Sequence, residues 1–305
     1  MKNPPRITVA VVTFNSSAML PGLLDSLEVG MAGVGPYEVM IVDNNSRDAS
    51  VEIARNHRQK PTVIEMGSNA GYAAAINAAM DAMHPESHLL VLNPDLRMYA
   101  RSAKALLDCF ENPTVGIAVP RNFKEDGTTD PTIRQEPSVL TAWSDSVLGG
   151  KKASKRGWGE MIDTPDRYEH GGPIEWATGS ALLVSARARA TVGRWDESFF
   201  LYSEEVDYQR RAREAGFDVV YEPRSQVMHK GGDSGTNPKL FALLTANRVR
   251  YYRRHHGPVS TLLFRLGLAT GEAIRITRGK MHRAGLLSVF APERTVTNFL
   301  ANRPS

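Results

Sequence analysis

A short apolar run that ends in polar residues constrains the fold of this chain more than any other stretch. Leu89 to Leu92 are four consecutive apolar residues, a pattern typical of a strand buried on both faces of a sheet. Pro94 ends the strand because it has no backbone N–H to pair. Asn93 and Asp95 are therefore expected just beyond the carboxyl end of a central strand, where open α/β sheets bind their ligands.

These residues alone leave two interpretations of the strand end. An oxygen-rich tip suits Mg²⁺ or Mn²⁺, which bind one or two carboxylates together with substrate phosphate oxygens. Alternatively, the segment is a strand-to-helix turn in which Asp95 helps to cap a helix near Ser102. The rest of the chain has to distinguish the two.

Strands and helices alternate on both sides of this run. Strands are predicted at 6–13, 37–42, 61–66 and 116–119, and helices at 18–28, 46–57, 72–83 and 102–111. Ser46 is the expected N-cap of the second helix, with Asp48 in its first turn. The alternation predicts an α/β fold with a mostly parallel central sheet and helices on both faces.

Beyond this region the pattern weakens and then returns. Residues 121–175 are polar and rich in Pro, Gly and Lys, so we expect a substrate-side insertion or a mobile loop. Later elements are predicted as a strand at 181–184, an aromatic loop at 194–202, a helix at 203–215 capped by Ser203, strands at 217–221 and 226–229, and helices at 238–255 and 259–278. We therefore divide the chain into a catalytic domain, 1–237, and a helical C-terminal extension, 238–305.

Composition limits the cellular setting. The single cysteine, Cys109, excludes an internal disulfide and predicts a reducing cytoplasm. No segment has the roughly 20 consecutive apolar residues that span a bilayer. From Lys239 onward there are twelve Lys and Arg against two acids, and this basic extension predicts an anionic partner.

Polar residues also follow the neighbouring strands. Thr13 and Asn15 end the first strand and Asp43 ends the second, so parallel strands bring all three to the edge that holds Asp95. No dinucleotide-binding G-x-G-x-x-G and no P-loop is present. Asp43 could accept the imide N–H of uracil or thymine. Gly71 allows backbone to approach a ligand closely.

Acidic residues cluster at the start of the helix predicted at 203–215. Glu204, Glu205 and Asp207 lie within four residues, beside an aromatic and partly apolar segment. Burial and mutual repulsion there would raise a carboxyl pKa towards the range of a general base. Asp207 and Arg211, at i and i+4, are expected to form a structural pair.

For two further side chains, the sequence leaves two alternative roles. His229 ends a predicted strand before two glycines, where it is either a structural residue or a metal ligand beside Asp95. Trp176 either stacks on a sugar face or belongs to the core.

The motifs occur in a specific order. They are Thr13-Phe14-Asn15, Val42-Asp43-Asn44-Asn45-Ser46, Asn69-Ala70-Gly71-Tyr72 with Asn77, Leu92-Asn93-Pro94-Asp95, Thr178-Gly179-Ser180-Ala181, Trp195-Asp196-Glu197, Phe199 to Arg211, and His229. Over about residues 6 to 255 the set closely resembles the family 2 inverting glycosyltransferases of the GT-A fold, in particular the bacterial rhamnosyltransferase-like branch.

The resemblance implies roles for the matching residues. The nucleotide-sugar would be bound by Thr13, Asn15, Asp43, Asn69, Gly71, Asn77, Asn93 and Asp95. The acceptor side would include Trp176, Thr178, Gly179 and Ser180. Asp95 and His229 would hold a divalent cation, Mg²⁺ or Mn²⁺, on the donor diphosphate. Asn93 replaces the first acid of the family's D-x-D motif.

The base is implied within the acidic motif, at Glu205 or Glu204, because Glu205 stands where the family usually has Asp. The implied reaction is a single displacement at the anomeric carbon with inversion, in which a carboxylate takes the proton of the acceptor hydroxyl. The alternatives are a catalytically inactive nucleotide-sugar-binding protein of the same fold and a nucleotidyltransferase, which would need a glycine-rich basic loop after the first strand, where none is present.

The resemblance also suggests partners. The donor would be dTDP-rhamnose or a UDP-sugar, and the acceptor a cell-wall glycan or a polyprenyl-diphosphate-linked glycan; nucleic acid is not expected. The extension mixes leucines with arginines, so its apolar stripe either packs on the catalytic domain or meets an anionic membrane surface. The second option places the enzyme peripherally at the inner face of the plasma membrane. The polybasic group expected there is Arg253, Arg254, His255, His256, Arg275, Arg278, Lys280 and Arg283.

Overall fold

The computed structural model describes residues 7–231 and 237–301 and confirms the predicted α/β class. Arg6, the predicted first residue of the first strand, lies outside the described residues. In chain order the strands are β1 (Ile7–Thr13), β2 (Tyr37–Asp43), β3 (Thr62–Glu65), β4 (His88–Leu92), β5 (Leu96–Met98), β6 (Val115–Phe123), β7 (Thr129–Asp130), β8 (Ile133–Arg134), β9 (Gly172–Ile174), β10 (Trp176–Ala177), β11 (Ala181–Val184) and β12 (Asp218–His229).

The helices surround and extend this sheet. They are α1 (Leu20–Gly30), α2 (Ser50–Asn56), α3 (Tyr72–Ala82), α4 (Ser102–Asp108), α5 (Val139–Leu148), α6 (Gly150–Lys155), α7 (Pro165–Glu169), α8 (Ala186–Val192), α9 (Glu204–Glu214), α10 (Pro238–His255), α11 (Pro258–Ile274), α12 (Lys280–Phe290) and α13 (Pro292–Ala301). Short 3₁₀ turns lie at Cys109–Glu111, Glu197–Phe199 and Ile276–Arg278.

The main sheet has the strand order β3-β2-β1-β4-β11-β6-β12-β5. β1 pairs in parallel with both β2 and β4, so the carboxyl ends of these three strands meet at one edge as predicted. β11 is antiparallel to β4 and β6, and β12 is parallel to β6. A separate β8–β10 pair lies beside the sheet.

β4 is buried on both faces, as its four apolar residues predict. Leu89 and Val91 belong to one apolar layer, together with the alanines of α3, and Leu90 and Leu92 belong to the layer covered by α1. All four side chains are 0% exposed. Complete burial of such side chains stabilises the fold by about 1.5–3 kcal/mol each, so the strand is a rigid base for whatever follows it.

Of the two expectations for 121–175, the mobile loop is wrong, because the segment forms regular elements. β6 continues to Phe123, and α5, α6 and α7 form within the segment. α5 begins with a capping box in which the Ser138 hydroxyl accepts from the Thr141 N–H and the Thr141 hydroxyl accepts from the Ser138 N–H. A Thr in the position usually held by Glu or Gln hides this start signal in the sequence.

Several predicted boundaries also need correction. Ser46 is not a helix cap: α2 begins at Ser50, and the Ser46 side chain bonds Asp43 instead. Ser203 occupies the N-cap position of α9 but makes no capping hydrogen bond. The two short strands predicted at 217–221 and 226–229 are one irregular strand, β12, because Pro223 lies where the register shifts and does not end the pairing.

The C-terminal helices pack on the sheet domain and on each other. Leu243 of α10 is completely buried, so its apolar stripe packs inward, whereas Leu262, Leu263 and Leu266 of α11 are exposed. Arg253 and Arg254 pair with Glu293 and Asp196, which neutralises part of the predicted polybasic group. Within the described ranges, no helix has the length and apolar character needed to cross a membrane.

Candidate active site

Asp43 organises the edge where β1 and β2 end. Its carboxylate accepts hydrogen bonds from the Thr13 hydroxyl at 2.7 Å, the Ser46 hydroxyl at 2.6 Å and the Ser46 N–H at 2.7 Å. The Asp43 residue is 2% exposed. These hydrogen bonds link the end of β1, the end of β2 and the loop that follows β2. The nucleobase contact expected of Asp43 stays a prediction.

A cavity of about 550 Å³ lies beyond the ends of β4 and β12. It gathers all the residues predicted for the metal, the base and the acceptor side, together with Asn93: Asp95, His229, Glu204, Glu205, Trp176, Thr178, Gly179 and Ser180. Thr13, Asn15, Asp43, Asn69, Gly71 and Asn77 are not among the residues that line it. We refer to it as the main cavity.

A second cavity, of about 780 Å³, lies between the sheet edge and the C-terminal helices. Asn15 and Asn69 line its sheet side, and residues of α10, α12 and α13 line the other side. Leu201 borders both cavities, so the second cavity adjoins the main one. We call it the side cavity.

Two predicted nucleotide-binding residues, Asn77 and Gly71, make structural contacts, and their nucleotide-binding role stays a prediction. Asn77 is 0% exposed, and its amide exchanges hydrogen bonds with the backbone of Trp195 and donates to the Glu197 carboxylate. Gly71 has φ +98°, and a Cβ there would lie 2.5 Å from the Phe200 carbonyl oxygen. Glycine is therefore required at position 71 by the close approach of Phe200, and the approach to a ligand stays a prediction.

Asp95 and His229 meet in the main cavity. His229 Nε2 is 3.3 Å from Asp95 Oδ2, and its Nδ1 is 3.8 Å from Asp130 Oδ2. Burial lowers the pKa of His229, but the two carboxylates outweigh burial and raise it to about 9. Asp95 therefore faces His229 and does not cap α4, whose N-cap position is held by Arg101.

These two side chains fit a divalent cation that takes its remaining ligands from a substrate. Two ligand atoms at right angles around Mg²⁺ or Mn²⁺, with bonds of about 2.1 Å, lie about 3 Å apart, close to the Asp95–His229 distance. Across residues 7–231 and 237–301, no group of three or more His, Cys, Asp and Glu side chains is placed to hold a metal ion. The protein would thus supply only part of the coordination shell.

Glu204 and Glu205 start α9 at the cavity wall. Burial raises the pKa of both carboxyls, as the apolar surroundings predict, and the charge of Glu205 raises that of Glu204 further. Backbone N–H groups oppose the rise at both residues, and the Arg134 guanidinium opposes it at Glu205 alone. Glu205 is therefore the more readily ionised of the two.

Gly179 makes room for Glu205. A Cβ at position 179 would lie 3.1 Å from Glu205 Cβ and 3.2 Å from its Cγ. Any larger residue would push the Glu205 side chain aside. Asp207, by contrast, pairs with Arg211 at 2.7 Å, as its i, i+4 spacing predicts.

The turn that leads into α9 is strained. Phe200, Tyr202 and Ser203 have φ of 67°, 71° and 75°, in the left-handed region that non-glycine residues seldom adopt. Asn247 of α10 holds this turn: its Nδ2 donates to the carbonyls of Phe199 at 2.7 Å, Leu201 at 2.9 Å and Tyr202 at 3.2 Å.

Trp176 belongs chiefly to the core. It is 6% exposed, packs with Phe199, Val206 and Tyr251, and donates from Nε1 to the Gln135 carbonyl. Its edge still borders the main cavity.

Sequence reasoning missed several residues of the site. Tyr72, Arg134, Asp145, Glu160 and Arg248 also line the main cavity. The Tyr72 hydroxyl donates to Asn93 Oδ1 at 2.8 Å, and Arg248 pairs with Glu160 at 2.5 Å. Only Tyr72 had a local signal, its place directly after Gly71 at a helix start; the others depend on contacts between distant segments.

Comparisons with known proteins agree with this geometry. Residues 8–167 match the family Glycosyl transferase family 2. N-acetylglucosaminyl-diphospho-decaprenol L-rhamnosyltransferase of Mycobacterium tuberculosis (strain ATCC 25618 / H37Rv) is 31% identical over 249 residues, which cover 76% of this chain and 78% of the relative.

Solved structures share the fold. GalNAc-T7 with UDP, GalNAc and Mn²⁺ has a TM-score of 0.61 at 12% identity; the match covers 100% of this chain, which spans 59% of the length of that one. Mannosyltransferase PcManGT from Pyrobaculum calidifontis, in complex with GDP-Man and Mn²⁺, has a TM-score of 0.58 at 18% identity, covering 98% of this chain and 85% of that one.

The Asn247 contacts generate a stability prediction. Asn247→Ala removes a side-chain donor from three carbonyls of the strained turn, of which that of Phe199 keeps the Leu201 N–H, so the free energy of unfolding should fall by about 1–3 kcal/mol in urea titrations. Asn56→Ala, at an exposed helix position, is the matched control and should change it by less than about 0.5 kcal/mol. Equal losses in both variants would contradict a specific role for Asn247.

Proposed function

Because the chain belongs to glycosyl transferase family 2 and is therefore a glycosyltransferase, we propose that its main cavity transfers a sugar from a nucleoside diphosphate to an acceptor hydroxyl with inversion. The observation that supports this is the convergence of the Asp95–His229 pair with Glu204 and Glu205 in one cavity of about 550 Å³. A metal-assisted leaving group and a general base are what such a displacement needs. The alternative, an inactive nucleotide-sugar-binding protein, would not require a cation pair and a general base in the same cavity.

In this proposal Asp95 and His229, once His229 has released its proton, would hold Mg²⁺ or Mn²⁺ together with the donor diphosphate. When bound, the cation neutralises the negative charge that grows on the departing nucleoside diphosphate. The two solved neighbours carrying Mn²⁺ support this assignment. Asn93, held by the Tyr72 hydroxyl, lies beside the pair and contributes an amide where the family usually has an acid.

We assign the general base to Glu205. Burial raises the pKa of both carboxyls and backbone N–H groups oppose this at both, but the Arg134 guanidinium favours the ionised form of Glu205 alone, and Glu204 is the more deeply buried residue. The ionised Glu205 takes the proton of the acceptor hydroxyl while the hydroxyl oxygen attacks the anomeric carbon. One bond forms as the bond to the diphosphate breaks, so no covalent enzyme intermediate is needed.

The donor and acceptor are proposed from the relatives. The mycobacterial relative, by its name, transfers L-rhamnose to a diphospho-decaprenol carrying N-acetylglucosamine. At 31% identity this supports dTDP-rhamnose over a UDP-sugar as the donor, and a polyprenyl-diphosphate-linked glycan as the acceptor. We place Asn15 and Asn69, on the sheet side of the side cavity, towards the nucleotide. The enzyme would act at the inner face of the plasma membrane.

The metal assignment can be tested with Asp95→Asn and His229→Ala. We expect Asp95→Asn to abolish transfer and His229→Ala to raise the Mn²⁺ concentration needed for half-maximal rate by about tenfold, because each removes one protein ligand. Initial rates across a Mn²⁺ titration measure both effects. Asp166→Asn, a fully solvated acid, is the control. Full activity of the native enzyme in excess chelator would refute metal dependence.

The base assignment separates two neighbouring carboxyls. Glu205→Gln should lower kcat by about 10²–10⁴-fold with donor affinity unchanged, because a general base is lost. Glu204→Gln, an isosteric change one residue away, should have a much smaller effect. Single-turnover rates and donor titrations give both quantities. A large loss in Glu204→Gln alone would reverse the roles.

The pH profile tests the Arg134 contribution. Glu205 acts when ionised, so the rate should fall on the acid side as pH drops through its raised pKa. Arg134→Gln removes a positive charge that lowers this pKa, so the acid limb should move to higher pH. Arg134→Lys keeps the charge and should restore most of the native profile. An acid limb that moves in neither variant would contradict the influence of Arg134 on the base.

A further inference from the structure

α5 and α11 lie side by side and leave apolar side chains in solvent. The exposed residues recur at helical spacing on both helices: Leu140, Trp143 and Val147 on α5, and Val259, Leu262 and Leu266 on α11. The Trp143 indole N–H donates to the Leu263 carbonyl at 3.0 Å, so the two exposed stripes adjoin. We call this surface the α5–α11 face.

Glycines bring the two helices close together. A Cβ on Gly267 would lie 3.2 Å from Ala142 Cβ, and one on Gly271 would lie 2.5 Å from Ser146 Oγ. The inner faces of the two helices are thus closely packed against each other, and the exposed stripes are separate faces that take no part in this packing. Val147 and Val259 remain 61% and 73% exposed, which is unusual for several large apolar residues on one surface.

Positive charge lies next to the α5–α11 face. α6 follows α5 directly, and its region presents Lys151, Lys152, Lys155 and Arg156 to solvent. Among the described residues, no carboxylate lies within 4.0 Å of these four cations, so none is neutralised by an ion pair. Trp158 follows them and is 49% exposed. Exposed apolar residues, tryptophan and unpaired lysines together are typical of a protein surface that lies on a membrane.

A small cavity at the start of α11 adds to this pattern. Its volume is about 330 Å³, and Arg253, His256, Arg265 and Leu262 are among its lining residues. Arg253 already pairs with Glu293, and Arg265 donates to carbonyls of α12 and its end. The cavity therefore combines an apolar wall with partly satisfied cations, directly beside exposed Val259.

The α5–α11 face is one helix away from the chemistry. Asp145, on the inner side of α5, lines the main cavity, while Leu140 and Val147 of the same helix are exposed. Arg275, at the end of α11, donates to the Asp145 and Ser146 carbonyls and fixes the two helices to each other. A ligand anchored outside the α5–α11 face would thus be separated from the main cavity by α5 alone.

We propose that the α5–α11 face docks on the surface of an anionic lipid bilayer, with the apolar stripes in the interface and the α6 cations on lipid phosphates. The biological purpose of docking rests on the proposed function, because it would bring a lipid-linked acceptor to Glu205. A second copy of the chain fits the α5–α11 face less well, since two α6 regions carrying the same charge would repel each other.

The test uses the full chain and vesicles without donor or acceptor. Binding is measured by flotation with vesicles of phosphatidylcholine alone and of phosphatidylcholine with about 30% phosphatidylglycerol, at low and high salt. We expect binding to the anionic vesicles to exceed binding to the neutral ones and to weaken with salt, because each cation near such a surface adds attraction that salt screens.

Two matched pairs of variants locate the surface. Val147→Ser/Val259→Ser should lower the partition coefficient by about tenfold or more, because two apolar side chains lose their burial. Val29→Ser, on the exposed side of α1, should leave it unchanged. Lys151→Glu/Lys152→Glu/Lys155→Glu should lower binding to anionic vesicles by about a hundredfold at low salt, and Lys60→Glu by much less. Urea unfolding confirms that each variant is folded.

Three outcomes would overturn docking. They are equal binding to neutral and anionic vesicles, unchanged binding in both α5–α11 variants, and native dimers that Val147→Ser/Val259→Ser converts to monomers without any vesicle binding. Transfer from the nucleotide sugar to a short-chain soluble acceptor is measured separately. Vesicle binding without such transfer would refute the proposed function alone, and transfer without vesicle binding would refute docking alone.

Discussion

The single amide of Asn247 holds the turn on which the active site depends. Phe200, Tyr202 and Ser203 have backbone angles that cost energy, and such strain persists only where surrounding contacts compensate for it. The Asn247 Nδ2 group supplies those contacts through three carbonyls, and Arg250 fixes the amide by donating to Asn247 Oδ1 at 2.9 Å. The start of α9, with Glu204 and Glu205, follows at once. α10 is therefore part of the active site, although the composition of the chain suggests a boundary just before it.

Burial then gives the two glutamates different properties. Both lose solvation, which raises both pKa values, yet only Glu205 has the Arg134 guanidinium among the groups that counter this effect. Two adjacent ionised carboxylates in a poorly solvated wall would repel each other, so one neutral and one ionised group is the lower-energy arrangement. At the other side of the main cavity His229 lies between Asp95 and Asp130 and compensates their charge. The same cavity therefore contains the carboxylate proposed as the base, whose ionised form Arg134 favours, and the Asp95–His229 pair proposed for a cation, which would replace the proton of His229.

What the sequence could predict follows from the range of the interactions involved. The buried strand at Leu89–Leu92 and the polar residues after it are local patterns, and the sheet places them as expected. Asn77 belongs to a recognisable motif, but its amide is used by Trp195 and Glu197, because a motif shows which residue recurs and not what it contacts. Asn247, Asp130 and Arg134 carry no local signal: they reach the site only through the packing of segments far apart in the chain. The sequence did not predict α5 for a different reason: its helix start is formed by Ser138 and Thr141 within a polar stretch.

α5 lies between the main cavity and the solvent-exposed α5–α11 face, and its width sets the distance between the two. One side bears Asp145 on the main cavity, and the other bears Leu140 and Val147 in solvent. A helix with its side chains is about 10–12 Å across, so a group reaching from a surface at the α5–α11 face to the cavity must span about that distance. A polyprenyl chain cannot leave the bilayer without exposing its apolar surface to water, which is strongly unfavourable. An enzyme for such an acceptor must therefore hold its base near the interface, and the proposed docking of the α5–α11 face, one helix away from the main cavity, would satisfy that requirement.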